Sequence, residues 1–269
     1  MKFSTGNKKE KTMEKVVWSK FCILRAGGML LLPLIVLMTP NAFAHERHYV
    51  WNAEYQTLPQ GTFELESITT SKVPDLKRSN VNKWEYKQEL EYGLTDHITI
   101  AHYEHWETVN KSGTGKDSTK YSGFDFEAKY RIGEMGKYWV DPLLYFEIKR
   151  DPRKKDIPLT LEGKIVLSKD IGKLNVIYNQ IIESQMGRKG LTEQAFTFGL
   201  NYEILDSVRL GFETKGQYWN PENHRNELAM GPTLSYVHRY FWVALGSLFG
   251  VNRAADDWQT RLIVGVPIG

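Results

Sequence analysis

From residue 62 to the C-terminus the chain repeats one pattern: stretches in which apolar and polar side chains alternate. In GFDFEAKYRIG, Phe124, Phe126, Ala128, Tyr130 and Ile132 share one parity and Asp125, Glu127, Lys129 and Arg131 the other. KWEYKQELEY sets Trp84, Tyr86, Leu90 and Tyr92 against Lys83, Glu85, Lys87, Glu89 and Glu91. PLTLEGKIVL, EQAFTFGLNYEI and DWQTRLIVGVPIG repeat it. A period of two is the signature of a strand with unlike faces. Each stretch is about ten residues long, the length a tilted strand needs to cross a bilayer.

About twelve such stretches fall near 62–70, 82–93, 96–108, 122–133, 138–149, 157–168, 172–184, 193–204, 207–218, 225–237, 240–250 and 257–268. Their connections alternate in kind. SKVPDLKRSNVN, VNKSGTGKDSTKYS, RDPRKKD, QMGRKGLT, NPENHRN and NRAADD are long and polar, whereas GLTD, GEMGK, SKDIGK, LDS and HRY are tight. An even strand number with short turns on one rim and long loops on the other is the layout of an outer-membrane barrel. The expected fold is therefore all-β: a transmembrane antiparallel up-and-down β-barrel of about 12 strands, with both termini periplasmic. Aromatics near the long loops (Trp84, Trp106, Tyr121, Tyr218, Trp219, Trp258) and near the turns (Tyr92, Tyr130, Tyr138, Trp139, Tyr202, Tyr236, Tyr240, Phe241) fit girdles at two membrane interfaces. A soluble sandwich or lipocalin-like barrel would need no double girdle.

The N-terminus agrees with export. AGGMLLLPLIVLMTPNAFA is a short apolar run behind Lys15, Lys20 and Arg25, ending in Ala42-Phe43-Ala44. This is the form of a secretory signal peptide cleaved after Ala44, with translation starting at Met1 or Met13. The expected organisation is a signal peptide over 1–44, an N-terminal periplasmic segment over 45–61 and a barrel over 62–269. Residues 1–44 hold seven basic and two acidic residues, so the mature part is −2 although the whole chain is +3. The basic balance belongs to the leader and gives no support to nucleic-acid binding. The only cysteine, Cys22, lies in the leader too, which leaves the mature chain without disulfide or thiol chemistry.

TLPQG (57–61) before an acidic first strand, and EYGLTDHITI joining two strands, resemble motifs of porin-like Gram-negative outer-membrane families, among them the MetA-pathway phenol-degradation family. The resemblance implies a barrel that serves as a channel. The chain departs from a common pattern of such barrels by ending on Pro267-Ile268-Gly269 rather than on an aromatic.

Alternation assigns the lumen. Glu64, Glu66, Glu85, Lys87, Glu89, Glu91, Asp125, Glu127, Lys129, Arg131, Glu147, Lys149, Glu162, Lys164, Glu183, Glu203, Arg209, Glu213, Lys215 and Arg261 are expected to point inward. They suit a lattice of cross-strand ion pairs, a conduit that orients small solutes, or both. Third-strand parity is less clean, because Ile98 and Ile100 share it with His102 and Glu104. Either a bulge near Ala101 shifts the register, or Thr99, Ala101 and Tyr103 face lipid. The second arrangement needs no bulge and puts His102 and Glu104 in the lumen. The solute-contacting candidates are thus Glu85, Lys87, Glu89, His102, Glu104, Glu127, Lys129, Arg131, Glu147, Lys164, Arg209, Glu213, Lys215 and Arg261.

No catalytic or metal site and no cofactor is expected. No His-x-Ser occurs, and Ser235 and His238 are three apart and hence on opposite strand faces. His45, Glu46 and His48 lack HExxH spacing and read as a disordered terminus. Basic loop residues (Lys72, Lys77, Arg78, Arg150, Arg153, Lys154, Lys155, Arg188, Lys189) suit solvated tips or lipid phosphates. The function expected is passage of small solutes across the outer membrane. The alternatives are a lipid-modifying enzyme of lipase or deacylase type and a closed scaffold barrel. Expected partners are outer-membrane lipids with lipopolysaccharide, small solutes and the barrel-assembly machinery.

Overall fold

The computed structural model describes residues 47–111, 118–187, 190–219 and 226–268. The leader and its cleavage site lie outside these residues, as do Arg188 and Lys189. Twelve strands follow one another: β1 (Phe63–Val73), β2 (Asn82–Thr95), β3 (Ile98–Asn110), β4 (Thr119–Arg131), β5 (Asp141–Arg150), β6 (Leu159–Ile171), β7 (Leu174–Met186), β8 (Thr192–Leu205), β9 (Val208–Trp219), β10 (Glu227–His238), β11 (Phe241–Gly250) and β12 (Trp258–Ile268). Each pairs antiparallel with its chain neighbours, and β1 closes on β12 from Phe63↔Ile268 to Val73↔Trp258. Closure leaves no sheet edge, as a strand structure in lipid requires.

The alternation becomes two surfaces. In β1 the buried positions include Glu64, Glu66, Ile68 and Thr70, and in β4 they include Asp125, Glu127 and Lys129. The opposite parity is outside: Leu90, Phe126, Tyr130, Phe146, Ile165, Leu200, Phe212, Leu234, Leu245 and Leu262 are all exposed. An apolar exterior around a polar interior is inverted relative to a soluble protein and is the surface of a transmembrane barrel. Aromatics end the belt at both rims. Tyr121, Tyr218 and Trp258 are exposed toward the long loops, and Tyr130, Tyr138, Trp139, Tyr202 and Tyr236 toward the turns. The ends of β1 and β12 share the rim of the short turns, because Phe63 pairs with both Tyr92 and Ile268.

Candidate functional site: a stoppered lumen

HYVWNAEYQTL, residues 48–58, shows no alternation and forms no strand. Together with Arg47 it runs into the barrel and bonds to wall residues of β1, β3, β7, β8, β9 and β12. Its centre is a clamp on Glu213 of β9. The backbone N–H groups of Val50, Trp51 and Asn52 donate to that carboxylate at 2.7, 2.8 and 2.9 Å, and the Asn52 side chain adds a fourth bond at 2.8 Å. Successive N–H groups converging on one anion form a backbone nest, and a buried carboxylate is the partner such a nest wants. A second carboxylate within the segment, Glu54, accepts from the N–H groups of His48 and Tyr49 at 2.7 and 2.8 Å. The segment thus satisfies its own backbone without a sheet ladder.

Side chains extend the contact. The Tyr49 hydroxyl donates to Asn175 Oδ1 at 2.7 Å, Asn201 Nδ2 donates to the His48 carbonyl at 3.0 Å, and Arg261 Nη1 donates to the Val50 carbonyl at 3.1 Å. Arg47 pairs with Glu66 at 2.9 Å. Trp51 packs with Ile68, Trp242, Ala244, Leu248 and Ile263, and Tyr49 and Tyr55 pack with Leu143, Val166 and Ile177. Two glycines make room for the rings. A Cβ on Gly199 would stand 2.5 Å from the Tyr49 ring, and one on Gly246 2.5 Å from the Trp51 ring.

The two short motifs noted in the sequence meet where the segment leaves the lumen. Gly61 N donates to the Gly93 carbonyl at 2.8 Å, Thr57 Oγ1 to the Asp96 carbonyl at 2.8 Å and Gln60 N to Asp96 Oδ1 at 2.9 Å. Leu58 N donates to Thr99 Oγ1 at 2.8 Å. TLPQG is therefore latched onto the GLTD turn.

Twelve of the fourteen lumen candidates point inward or line the inner rim. Lys129 joins Glu91 at 2.6 Å and Glu127 at 3.1 Å, Lys164 joins Glu162 at 2.6 Å, Lys72 joins Glu85 at 2.8 Å, and Arg209 joins Glu203 at 3.0 Å. Glu147 shares the Tyr145 hydroxyl with Glu127, both at 2.7 Å. Lys87 stands 3.9 Å from Asp125, and Arg131 sits at the rim against Glu134 at 3.2 Å. Lys215 and Arg261 face the cavity above the inserted segment.

His102 and Glu104 are corrected: they project from the outer face. His102 lies tilted against the rings of Phe124 and Phe126 and bonds Glu104 at 3.1 Å. Neither arrangement offered by the sequence holds. Alternation runs unbroken from Ile98 through Glu104, so the polar pair keeps the outward parity of the isoleucines, while Thr99, Ala101 and Tyr103 are buried inside. Thr99 is held there by Leu58 and Tyr103 by Glu127. The irregularity comes later, between His105 and Trp106, opposite Gly123 with φ +137. His105, before that shift, keeps the inward parity of Thr99, Ala101 and Tyr103 and stands in the lumen 2.7 Å from Asp125.

Sequence reasoning missed the inserted segment. Its trace was compositional: Tyr49, Trp51 and Tyr55 lie within seven residues of a stretch expected to sit in water. His48, expected in a disordered tip, is 8 % exposed. Ser67 bonds Gln88 at 2.9 Å, Ser247 bonds Thr260 at 2.8 Å, and Ser235 is buried while His238 stacks on Tyr240 at the β10–β11 turn.

At the loops, the Arg78 guanidinium and the Lys77 N–H hold the Asp75 carboxyl below its usual range. Arg153 does the same for Asp151. These bonds tie basic loop residues to their own loops.

Fold and lumen together define a closed twelve-stranded transmembrane barrel of the outer-membrane class with its N-terminal segment inside. Residues 41–148 match a family of unknown function (DUF6662), a span that covers the inserted segment and most of the first five strands. Comparison with curated proteins gives no match. Among solved structures, the COG4313 outer membrane channel from Pseudomonas putida F1 superposes with a TM-score of 0.57 at 9% identity, covering 82% of this chain and 100% of that one. The NanC porin superposes with a TM-score of 0.50 at 12% identity, covering 77% and 99%. At these identities the likeness is one of fold.

Proposed function

We propose that this protein is an outer-membrane channel for small hydrophilic solutes, with residues 47–58 as a stopper in its lumen. One observation carries the reading. The segment is held in the lumen by hydrogen bonds to wall residues of several strands and by no sheet ladder, so it can leave without breaking any strand pairing of the barrel. Above it, a cavity of about 260 Å³ lies against Arg47 and Trp51, and a second of about 540 Å³ lies under the long loops. Lys87 and Lys149 line both, so the two chambers adjoin. Withdrawal of the segment would join them to the short-turn rim. The channel and porin of similar fold support this reading.

The short-turn rim, with the segment's entry point, faces the periplasm after cleavage at Ala44. The long loops face outward, and their exposed Lys77, Arg78, Lys154 and Lys155 contact lipid phosphates, those of lipopolysaccharide included. Assembly proceeds through the barrel-assembly machinery. Liposome swelling tests the function. Vesicles holding the barrel without residues 47–58 should swell in small sugars and amino acids. Impermeable vesicles, with the protein folded, would refute it, and phospholipid or lipid A hydrolysis by the same sample would favour an enzyme.

A further inference from the structure

The lumen wall made by β1, β2 and β4 concentrates carboxylates. Register places Glu64 opposite Glu91 and Glu66 opposite Glu89. Directly opposed like charges destabilise a sheet, so this wall needs cations. Among the described residues, Arg47 and Lys129 reach it. Arg47 pairs with Glu66 at 2.9 Å, and Lys129 pairs with Glu91 at 2.6 Å and Glu127 at 3.1 Å. Neither comes within ion-pair distance of the Glu89 carboxylate. That side chain is 0 % exposed, and both of its carboxylate oxygens lack a hydrogen-bond partner in the protein. One carboxylate oxygen from each of Glu89, Glu91 and Glu127 lies within 4.8 Å of the others. Glu127 is fixed from behind, because the hydroxyls of Tyr103 and Tyr145 donate to its Oε2 at 2.5 and 2.7 Å. Such outer contacts orient a ligand, and they turn Oε1, 3.1 Å from Lys129, toward the carboxylate cluster.

We infer that Glu89, Glu91 and Glu127 bind a hard divalent cation in the barrel wall, with Ca²⁺ the best fit. Three carboxylates with no His or Cys atom among them select oxygen-seeking metals over zinc or copper. Ligands fixed by strand register rarely form an octahedron, which Mg²⁺ demands and Ca²⁺ does not. The adjoining cavity, lined by Glu127 and Lys129, supplies water to complete the shell. With the ion in place, Glu91 and Glu127 share their charge between Lys129 and the metal, and Glu89 gains a partner. The site is independent of conduction and holds equally in a barrel that never opens.

Calorimetric titration of the chelator-stripped, folded barrel with CaCl₂ tests this. One saturable site is expected at or below millimolar calcium, the range of extracellular sites. In Glu89→Gln its affinity should fall by more than about tenfold, as for loss of a metal-orienting group. Glu203→Gln, elsewhere in the lumen, should bind normally. No saturable binding by the parent protein, or equal binding by Glu89→Gln, overturns the inference. Should Glu89→Gln not fold, Tb³⁺ emission sensitised by Tyr103 and Tyr145 decides on the parent protein. Emission quenched by Ca²⁺ competition supports the site, and absence of sensitised emission refutes it.

Discussion

Replacing Glu213 by alanine removes the acceptor of four donors at once: the N–H groups of Val50, Trp51 and Asn52 and the Asn52 amide. Val50 and Asn52 are 0 % exposed and Trp51 is 9 % exposed, so water has little access to the stranded groups. A buried donor left without a partner costs about 1–3 kcal/mol. Even if the segment relaxes enough to recover all but about 3 kcal/mol, its inserted state loses about 150-fold in population against the released one. Two readouts follow in one preparation. Bilayer recordings should show open time rising by about that factor, up to saturation. Trypsin should cut after Arg47, which in the inserted state is tied to Glu66. Glu213→Gln, which keeps one acceptor oxygen, should fall between. If Glu213→Ala leaves both open time and cleavage unchanged, the nest on Glu213 does not hold the segment.

Three further outcomes are expected. A methyl group at Gly246 would stand 2.5 Å from the Trp51 ring, and overpacking of this kind costs about 1–3 kcal/mol, so Gly246→Ala should shift tryptophan emission and raise trypsin cleavage at Arg47. On the outer face, Phe126→Arg should cost about 2–4 kcal/mol if it meets mid-bilayer lipid, read from urea midpoints in vesicles, whereas Glu104→Leu should fold at least as well as the parent. Asp151 has a depressed carboxyl, so its hold on Arg153 is complete above the ordinary carboxylate pKa near 4 and is lost as pH falls through the lower folded value. Protection from hydrogen exchange in 151–158, taken relative to the intrinsic rate at each pH, should therefore fall only in acid, and Asp151→Asn should remove that dependence.

The barrel was legible because lipid imposes one simple rule. Every strand must be apolar outside, and a period of two records this residue by residue, as Phe124 to Ile132 do against Asp125 to Arg131. The same rule put Glu85, Glu127, Lys129 and Glu213 in the lumen. It failed at β3, where His102 and Glu104 carry polar groups on the outer parity. A rule that sorts by polarity cannot see that Phe126 shelters His102, or that Leu58 and Glu127 hold Thr99 and Tyr103 inside. The inserted segment was illegible for another reason. Its bonds join Val50 to Glu213 and Tyr49 to Asn175, partners far apart in sequence, and no local period marks such a contact. The fit of Gly199 and Gly246 to Tyr49 and Trp51 likewise exists only once the barrel has closed.

The central claim is that residues 47–58 close a conduit that the barrel otherwise provides. Single-channel recording of the full mature chain beside the same barrel lacking residues 47–58 tests it most directly. The full chain should give brief, rare openings, and the shortened barrel a steady and larger conductance. A folded, shortened barrel that carries no more current than the full chain would contradict the account.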